Sequence, residues 1–257
     1  MTSAQRRSRL DDLPFARHSA RAPLSRDEIV AAAIRIADSE GLAAVTMRRL
    51  GHELGAGATS LYWHILNKDQ LCDLMVDALL GEVATAVVPT DGWRDGLAEL
   101  ARALRRVLIR HRSVAPLLVD RPMIGPHSLD VTERVVDLLR QAGFDDRTTS
   151  LASGSLIDYA SGSALFETRS PGDPSRTPEA ARASARSLPD ERRPNLLAVV
   201  AVPIGEGERF EYGLQRLLDG FEADLDLSGA DRPELDEPGV DRLDDERPVG
   251  PSSVLLL

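Results

Sequence analysis

Two short helical segments separated by Gly55-Ala56-Gly57 constrain this chain more than any other feature. Thr46 can cap the first segment, with Val45 and Leu50 flanking the cap as a hydrophobic staple. The glycines then end that segment and open the next one, which starts at Ala58. Ala58, Leu61 and Ile65 fall at 0, 3, 7 spacing and form the inner face of a helix over 58–64. Thr59, Ser60, Tyr62, Trp63 and His64 are left facing outward or sideways. Two short helices joined by a tight glycine-containing turn make a helix-turn-helix, whose second helix enters the DNA major groove. Hydroxyl, phenol, indole and imidazole groups can bond phosphate oxygens or base edges. Lys68, the single lysine of the chain, stands at the start of the following helix, where its ammonium and the helix N-terminus can meet the same phosphate strand.

Helical signals extend on both sides of this unit. Ser25-Arg26-Asp27-Glu28 is a capping box with Leu24 and Ile29 as its staple, and Val30, Ala33, Ile34 and Ala37 follow at helical spacing up to Gly41. Asn67 and Gln70 make a third box-like start flanked by Leu66 and Leu71, and Leu71, Leu74, Met75 and Ala78 form the next stripe. The pattern predicts further helices at about 92–111, 127–142, 146–168 and 207–226, and no strand. The fold class is therefore all-α: a three-helix helix-turn-helix DNA-binding unit at 25–70 and a helical body at 71–227. A basic arm precedes them at 1–24, a mobile loop is expected at about 170–194, and an acidic tail with an apolar end covers 228–257.

A net charge of −10 on its own opposes binding to nucleic acid. The distribution answers the objection: residues 1–70 carry ten Lys or Arg against eight Asp or Glu, leaving −12 on the remainder. A slightly basic head on an acidic body suits a DNA-binding unit joined to a regulatory one. One cysteine, Cys72, allows no internal disulfide, and no apolar run is long enough to span a membrane, so a cytoplasmic setting is expected. Enzyme chemistry has no support: the sequence holds no HExxH, no paired cysteines, no phosphate-binding glycine loop and no GxSxG. No cofactor is expected, and His18, His52, His111 and His127 show no metal-ligand spacing.

Residues 25–80, and TMRRLGHELGAGATSLYWHILNKDQL above all, closely resemble the N-terminal domain of tetracycline-repressor (TetR) family regulators. The resemblance continues more weakly over 92–226, where FEYGLQRLLDGFEADL looks like the end of the tetracycline-repressor body. It implies that Thr46 and Arg48 lie against phosphate, that Ala58, Thr59 and Ser60 face bases, and that Tyr62, Trp63, His64 and Lys68 hold the backbone. It further implies a homodimer closed by a four-helix bundle of the last two long helices. The small residues between Ala152 and Ala164 permit close helix approach, and Phe210, Leu214, Leu217, Leu218 and Phe221 offer an apolar face that serves a partner or an internal core. Effector contacts are expected among Trp93, Leu97, Leu104, Met123, Phe144, Ser155, Tyr159 and Phe166, with His127 as a polar anchor or a surface or cap residue. In the tetracycline repressor a histidine just before an Arg-Pro pair holds the drug with magnesium. Here Arg121-Pro122 is present, but the matching upstream position falls near Leu117 or Leu118, which argues against that ligand and for an apolar or amphipathic effector. The functional expectation is a repressor released from a palindromic operator by a small molecule. The alternatives are a DNA-binding regulator controlled by a protein partner or without a small-molecule effector, and an activator.

Overall fold

The computed structural model describes residues 24–87, 90–121, 123–168 and 207–227, with isolated positions between 180 and 205. The basic arm, most of the 170–194 segment and the acidic tail lie outside the described residues, as does Pro122. Among the described residues the architecture is helical, without strands.

Helix α1 (Arg26–Glu40) starts where the sequence places its capping box: Glu28 N–H donates to Ser25 Oγ at 3.1 Å, and Ser25 N–H donates to Glu28 Oε2 at 2.9 Å. It ends at Gly41, whose φ of 87° lets the chain turn off the helix axis. A single 3-10 turn (Leu42–Ala44) leads to α2 (Met47–Leu54), capped by Thr46, which accepts from Arg49 N–H at 3.1 Å. Gly55 closes α2 in the left-handed region, φ 58°, and Ala56 N–H returns to Gly51 carbonyl. Helix α3 (Ala58–Tyr62) follows, and then α4 (Lys68–Ala86), capped by Asn67. Ile29, Ile36, Val45, Leu50, Leu61, Ile65, Leu71 and Met75 pack these four helices into one head.

The Asn67 start differs from the expected staple. Gln70 N–H donates to Asn67 Oδ1 at 2.8 Å, but the Gln70 side chain accepts from Leu66 N–H rather than from the cap residue. Leu66 is 75% exposed, while Leu71 is buried, so the two do not form a staple across the cap.

The body consists of α5 (Trp93–Arg110), α6 (Leu117–Asp120), α7 (Pro126–Ala142), α8 (Asp146–Thr168) and α9 (Glu208–Leu227). Helix α5 runs along α8, α4 packs on α7, and α9 lies across α5 and α8. The small residues of α8 divide between two faces. Ala152, Ser153, Ala160, Ser161 and Ala164 are buried, whereas Ser155 is exposed and a Cβ at Gly154 or Gly162 would meet open space. The apolar face of α9 is spent inside the chain: Phe210, Leu214, Leu218 and Phe221 are buried, and Leu217 is partly so. Arginines of α5 add polar ties to α9, Arg94 to Asp219 and Glu222 and Arg102 to Glu211, and the Arg102 hydrogen bond holds the Glu211 carboxyl below the usual carboxylate range.

Helix α7 has no cap of its own, since Gly125 stands at the N-cap. Asp77 of α4 supplies one. Its carboxylate, 7% exposed, accepts from Ser128 N–H, Ser128 Oγ–H and His127 Nδ1, each at 2.9 Å. A Cβ at Gly125 would come within 2.2 Å of the Asp77 carboxyl carbon, so glycine is required by close approach. Burial pushes the Asp77 carboxyl up, but the Ser128 amide, the His127 imidazole and the Ser128 hydroxyl outweigh it and hold the group below its ordinary range. The stabilisation is therefore present above the unfolded-state pKa, near 4, and is lost as pH falls through the lower folded-state value. Asp77→Ala leaves three donors without their acceptor and should cost about 1–3 kcal/mol at pH 7. In urea titrations the gap between parent and variant should narrow below about pH 4; a constant gap would refute a charged cap.

Candidate nucleic-acid interface and effector cleft

Leu61 and Ile65 are completely buried and anchor α3 to the head. Because α3 is only one to two turns long, this anchor decides what its other side presents. Thr59, Ser60 and Tyr62 are exposed on the helix, and Trp63, 86% exposed, continues it as an αR residue. The helix ends at Tyr62, two residues before the expected limit, so His64 lies in the turn that follows and is half-buried. Ala58 opens α3, but its side chain lies outside what is described. Lys68 is exposed in the first turn of α4. One surface thus gathers Thr59, Ser60, Tyr62, Trp63 and Lys68, and the exposed Leu66 joins it.

Two arginines fix the frame around that surface. Arg26 of α1 donates from Nε to the His64 carbonyl at 3.3 Å, tying the exit of α3 to the start of α1. Arg49 of α2 reaches Glu40 at the end of α1, with bonds of 2.6 and 3.1 Å, and Glu53 at 2.9 Å. The Arg49 guanidinium holds the Glu40 carboxyl below the usual range. Its neighbour Arg48 and the cap residue Thr46 stay exposed. The Arg-Arg pair is therefore divided, with one member engaged inside the head and the other presented outward.

The expected effector contacts do not share one cavity. Trp93 and Phe144 meet edge to face at 5.8 Å, and Phe144 meets Phe221 at 6.5 Å, an aromatic cluster between α5, α9 and the start of α8. Tyr159 stacks on Phe210 at 5.6 Å and donates to its carbonyl at 2.9 Å. Leu97 and Leu104 are buried in the core, Met123 packs against it, Ser155 is exposed and Phe166 is 75% exposed. His127 is bound to Asp77 at 2.9 Å, and Leu117 and Leu118 pack on the core. The described residues instead enclose a cleft of about 330 Å³ lined by Ala84, Val87, Leu100, Asp130, Val131 and Arg134. It lies between the end of α4, α5 and α7. None of its lining residues is aromatic. Its lining sets Asp130 and Arg134, one turn apart on α7, beside apolar Val131, a spacing that any exposed helix face shows. Cys72 is buried, and burial pushes its thiol up, which disfavours the thiolate.

Residues 29–75 match the profile described as bacterial regulatory proteins, tetR family, and residues 87–225 match the tetracyclin repressor-like C-terminal domain. An HTH-type transcriptional regulator of Saccharopolyspora erythraea is 40% identical over 144 residues, 56% of this chain and 61% of that relative. The HTH-type transcriptional repressor DrrR1 of Streptomyces coeruleorubidus is 33% identical over 209 residues, 77% of each chain. Among solved structures, the TetR family protein ActR of Streptomyces coelicolor in complex with actinorhodin is similar at 36% identity, covering 79% of this chain and 99% of that one, with a TM-score of 0.70.

The burial pattern separates anchors from presented groups. Leu61→Ala or Ile65→Ala should destabilise the protein by about 2–5 kcal/mol. Trp63→Ala and Leu66→Ala should stay within about 0.5 kcal/mol of the parent. Chemical denaturation of the four variants checks this, and a Trp63→Ala cost equal to that of Leu61→Ala would show that the indole packs inward.

Proposed function

This chain belongs to the tetracycline-repressor family of bacterial transcription regulators, and from that premise we propose that it is a homodimeric repressor, acting in the cytoplasm, that leaves a palindromic operator when a small apolar or amphipathic effector binds its body. The observation that carries the DNA-binding part is the surface of α3. Two buried residues hold the helix while Thr59, Ser60, Tyr62 and Trp63 stand in solvent. In this reading Ala58, Thr59 and Ser60 face base edges. Tyr62, Trp63, His64 and Lys68 follow the phosphate backbone from one side, and Thr46 and Arg48 from the other.

Dimerisation is supported by what α8 and α9 leave uncovered. Leu151 and Phe166 are exposed, Gly154, Gly162 and Gly220 open onto space that would admit another helix, and Tyr212 is exposed. The effector would occupy the cleft between α4, α5 and α7, where Val87, Leu100 and Val131 offer apolar wall and Asp130 and Arg134 offer polar anchors. The bound ligand named for ActR supports a ligand-responsive body. An effector seated there touches α4, the helix that enters the head, and can shift the head only by its differential affinity for the two arrangements.

Selection from random DNA duplexes at about 0.15 M salt should return a palindrome with half-sites roughly one helical turn apart. Recovery of non-palindromic DNA would sink the symmetric dimer. On the selected duplex, Tyr62→Ala and Lys68→Ala should weaken binding across sequences, and Lys68→Ala should lower the salt slope by about 1. Parent-like affinity for both variants at every salt concentration would overturn the assignment of α3 as recognition helix. An effector at a hundredfold its Kd should raise unfolding stability by about 2.7 kcal/mol in thermal-shift screening. Val131→Trp, which fills the cleft, should abolish that rise.

A further inference from the structure

The surface around α3 carries apolar groups that phosphate does not need. Trp63 is 86% exposed, Leu66 75% and Tyr62 51%. The Leu66 side chain has no donor for a phosphate oxygen, and its amide already donates to Gln70. Arg48 on α2 and Lys68 at the start of α4 are exposed on the elements either side of α3, and among the described residues no carboxylate pairs with either. The face is thus apolar with basic groups at its margins, which suits an acidic partner that also brings apolar side chains. The chain itself contains such a segment. Residues 228–257 hold eight Asp or Glu against three Arg, a net −5, and carry Leu235, Leu243 and the run Val254-Leu255-Leu256-Leu257. The segment follows α9, which runs antiparallel to α5: Arg102 holds Glu211, and Arg94 in the first turn of α5 holds Asp219 and Glu222. Leu227 therefore lies toward the end of α5 away from the head, while the other end of α5 meets α1 through His111 and Asp38. The 18 residues of α5 measure about 27 Å, and an extended chain as long as 228–257 reaches up to about 100 Å, so the head is within range.

We propose that the surface of α3 also binds the acidic segment 228–257 of this chain, so that the segment and the operator compete for one face. The inference rests on the DNA-binding reading above. Acidic groups such as Asp244, Asp245 and Glu246 take the place of phosphate against Arg48 and Lys68, and the leucines of the segment cover Trp63 and Leu66. A covered head binds no DNA, so the apparent affinity of the chain for its operator falls by the fraction of heads left open. The charged part of the docking weakens as salt rises, and the apolar part does not.

The test uses the full chain carrying Leu255→Ser, Leu256→Ser and Leu257→Ser together, which leaves every charge in place. Without DNA, the neutral quencher acrylamide should quench the tryptophan fluorescence of this variant about twofold more strongly than that of the parent, because Trp63 is uncovered. In a Trp63→Phe background, where Trp93 packed on Phe144 is the remaining tryptophan, the same comparison should show no difference. On the selected duplex the variant should bind about fivefold more tightly than the parent, as expected if about four-fifths of parent heads are covered. Repulsion of DNA by a merely acidic segment predicts no such gain, since the charge is unchanged. Asp244→Asn with Asp245→Asn and Glu246→Gln is the second variant, and it should give the same rise in quenching. Equal quenching in the parent and both variants overturns the inference, and so does a rise in quenching with unchanged affinity for a duplex that all of them bind. A rise in quenching with no duplex bound by any of them overturns the DNA-binding reading and the competition, and leaves the docking of the segment standing.

Discussion

Helix α4 has to satisfy two cores at once, and the polar contacts between head and body are arranged around it. Leu71 and Met75 complete the head, while Leu79, Leu80 and Val83 face α5 and α7. A helix packed on two flanks cannot move against one neighbour without disturbing the other, because close-packed interiors accept discrete arrangements rather than continuous deformation. Its carboxylates are gripped from several directions. Arg121 holds Asp69 and Asp73, the first turn of α7 holds Asp77, and His111 with Arg110 holds Glu82. Asp69, Asp73 and Asp77 recur every four residues, so they lie in one row, and the chain between Arg121 and Ser128 runs beside it.

That arrangement explains why the acidic excess of the body does not oppose DNA binding. The carboxylates nearest the head are engaged by Arg121, by Arg110 and by the positive end of the α7 dipole. Within the head, Arg49 is matched by Glu40 and Glu53. Exposed charge near α3 is then left to groups such as Arg48 and Lys68. Formal net charge is a poor guide here, since phosphate at Debye-length range responds to local charge and not to the total.

Legibility followed the range of the interactions. The ends of α1, α2 and α4 were readable because Ser25, Gly41, Thr46, Gly55 and Asn67 act on backbone only a few residues away. Helices α5, α7, α8 and α9 fell within a residue or so of the expected spans, each long enough for its own periodicity. Four-residue α6 was not foreseen, since such a length carries no period. The burial of Cys72, Val76, Leu79, Leu80 and Val83 on α4 was also missed. The stripe through Leu71, Leu74, Met75 and Ala78 marks only one side, and a helix buried on two sides blurs its own stripe.

The candidate site was legible to the same limit. Buried Leu61 and Ile65 and the exposed residues between them follow from spacing alone, because the helix is short and its inner face is defined locally. The Gln70 side chain bonds to Leu66 N–H, one residue away from the cap, a choice between adjacent amides that spacing does not decide. The cleft was illegible because α4, α5 and α7 each give it only part of a wall, and its lining is ordinary within any one helix. The cap of α7 left one trace, the absence of a capping side chain at Gly125. A helix that begins Gly-Pro with no Ser, Thr, Asp or Asn at its N-cap must find acceptors for its first amides elsewhere. Here they come from Asp77, one turn before Gly81, which is kept small because the His127 ring lies 3.0 Å from where its Cβ would stand. Helix α4 thus caps α7 about two turns before Ala84 enters the cleft wall, roughly 10 Å along the same axis. Whatever parts α4 from α7 at the cleft works against that cap, which makes the buried carboxylate part of the resistance to separating the two helices there.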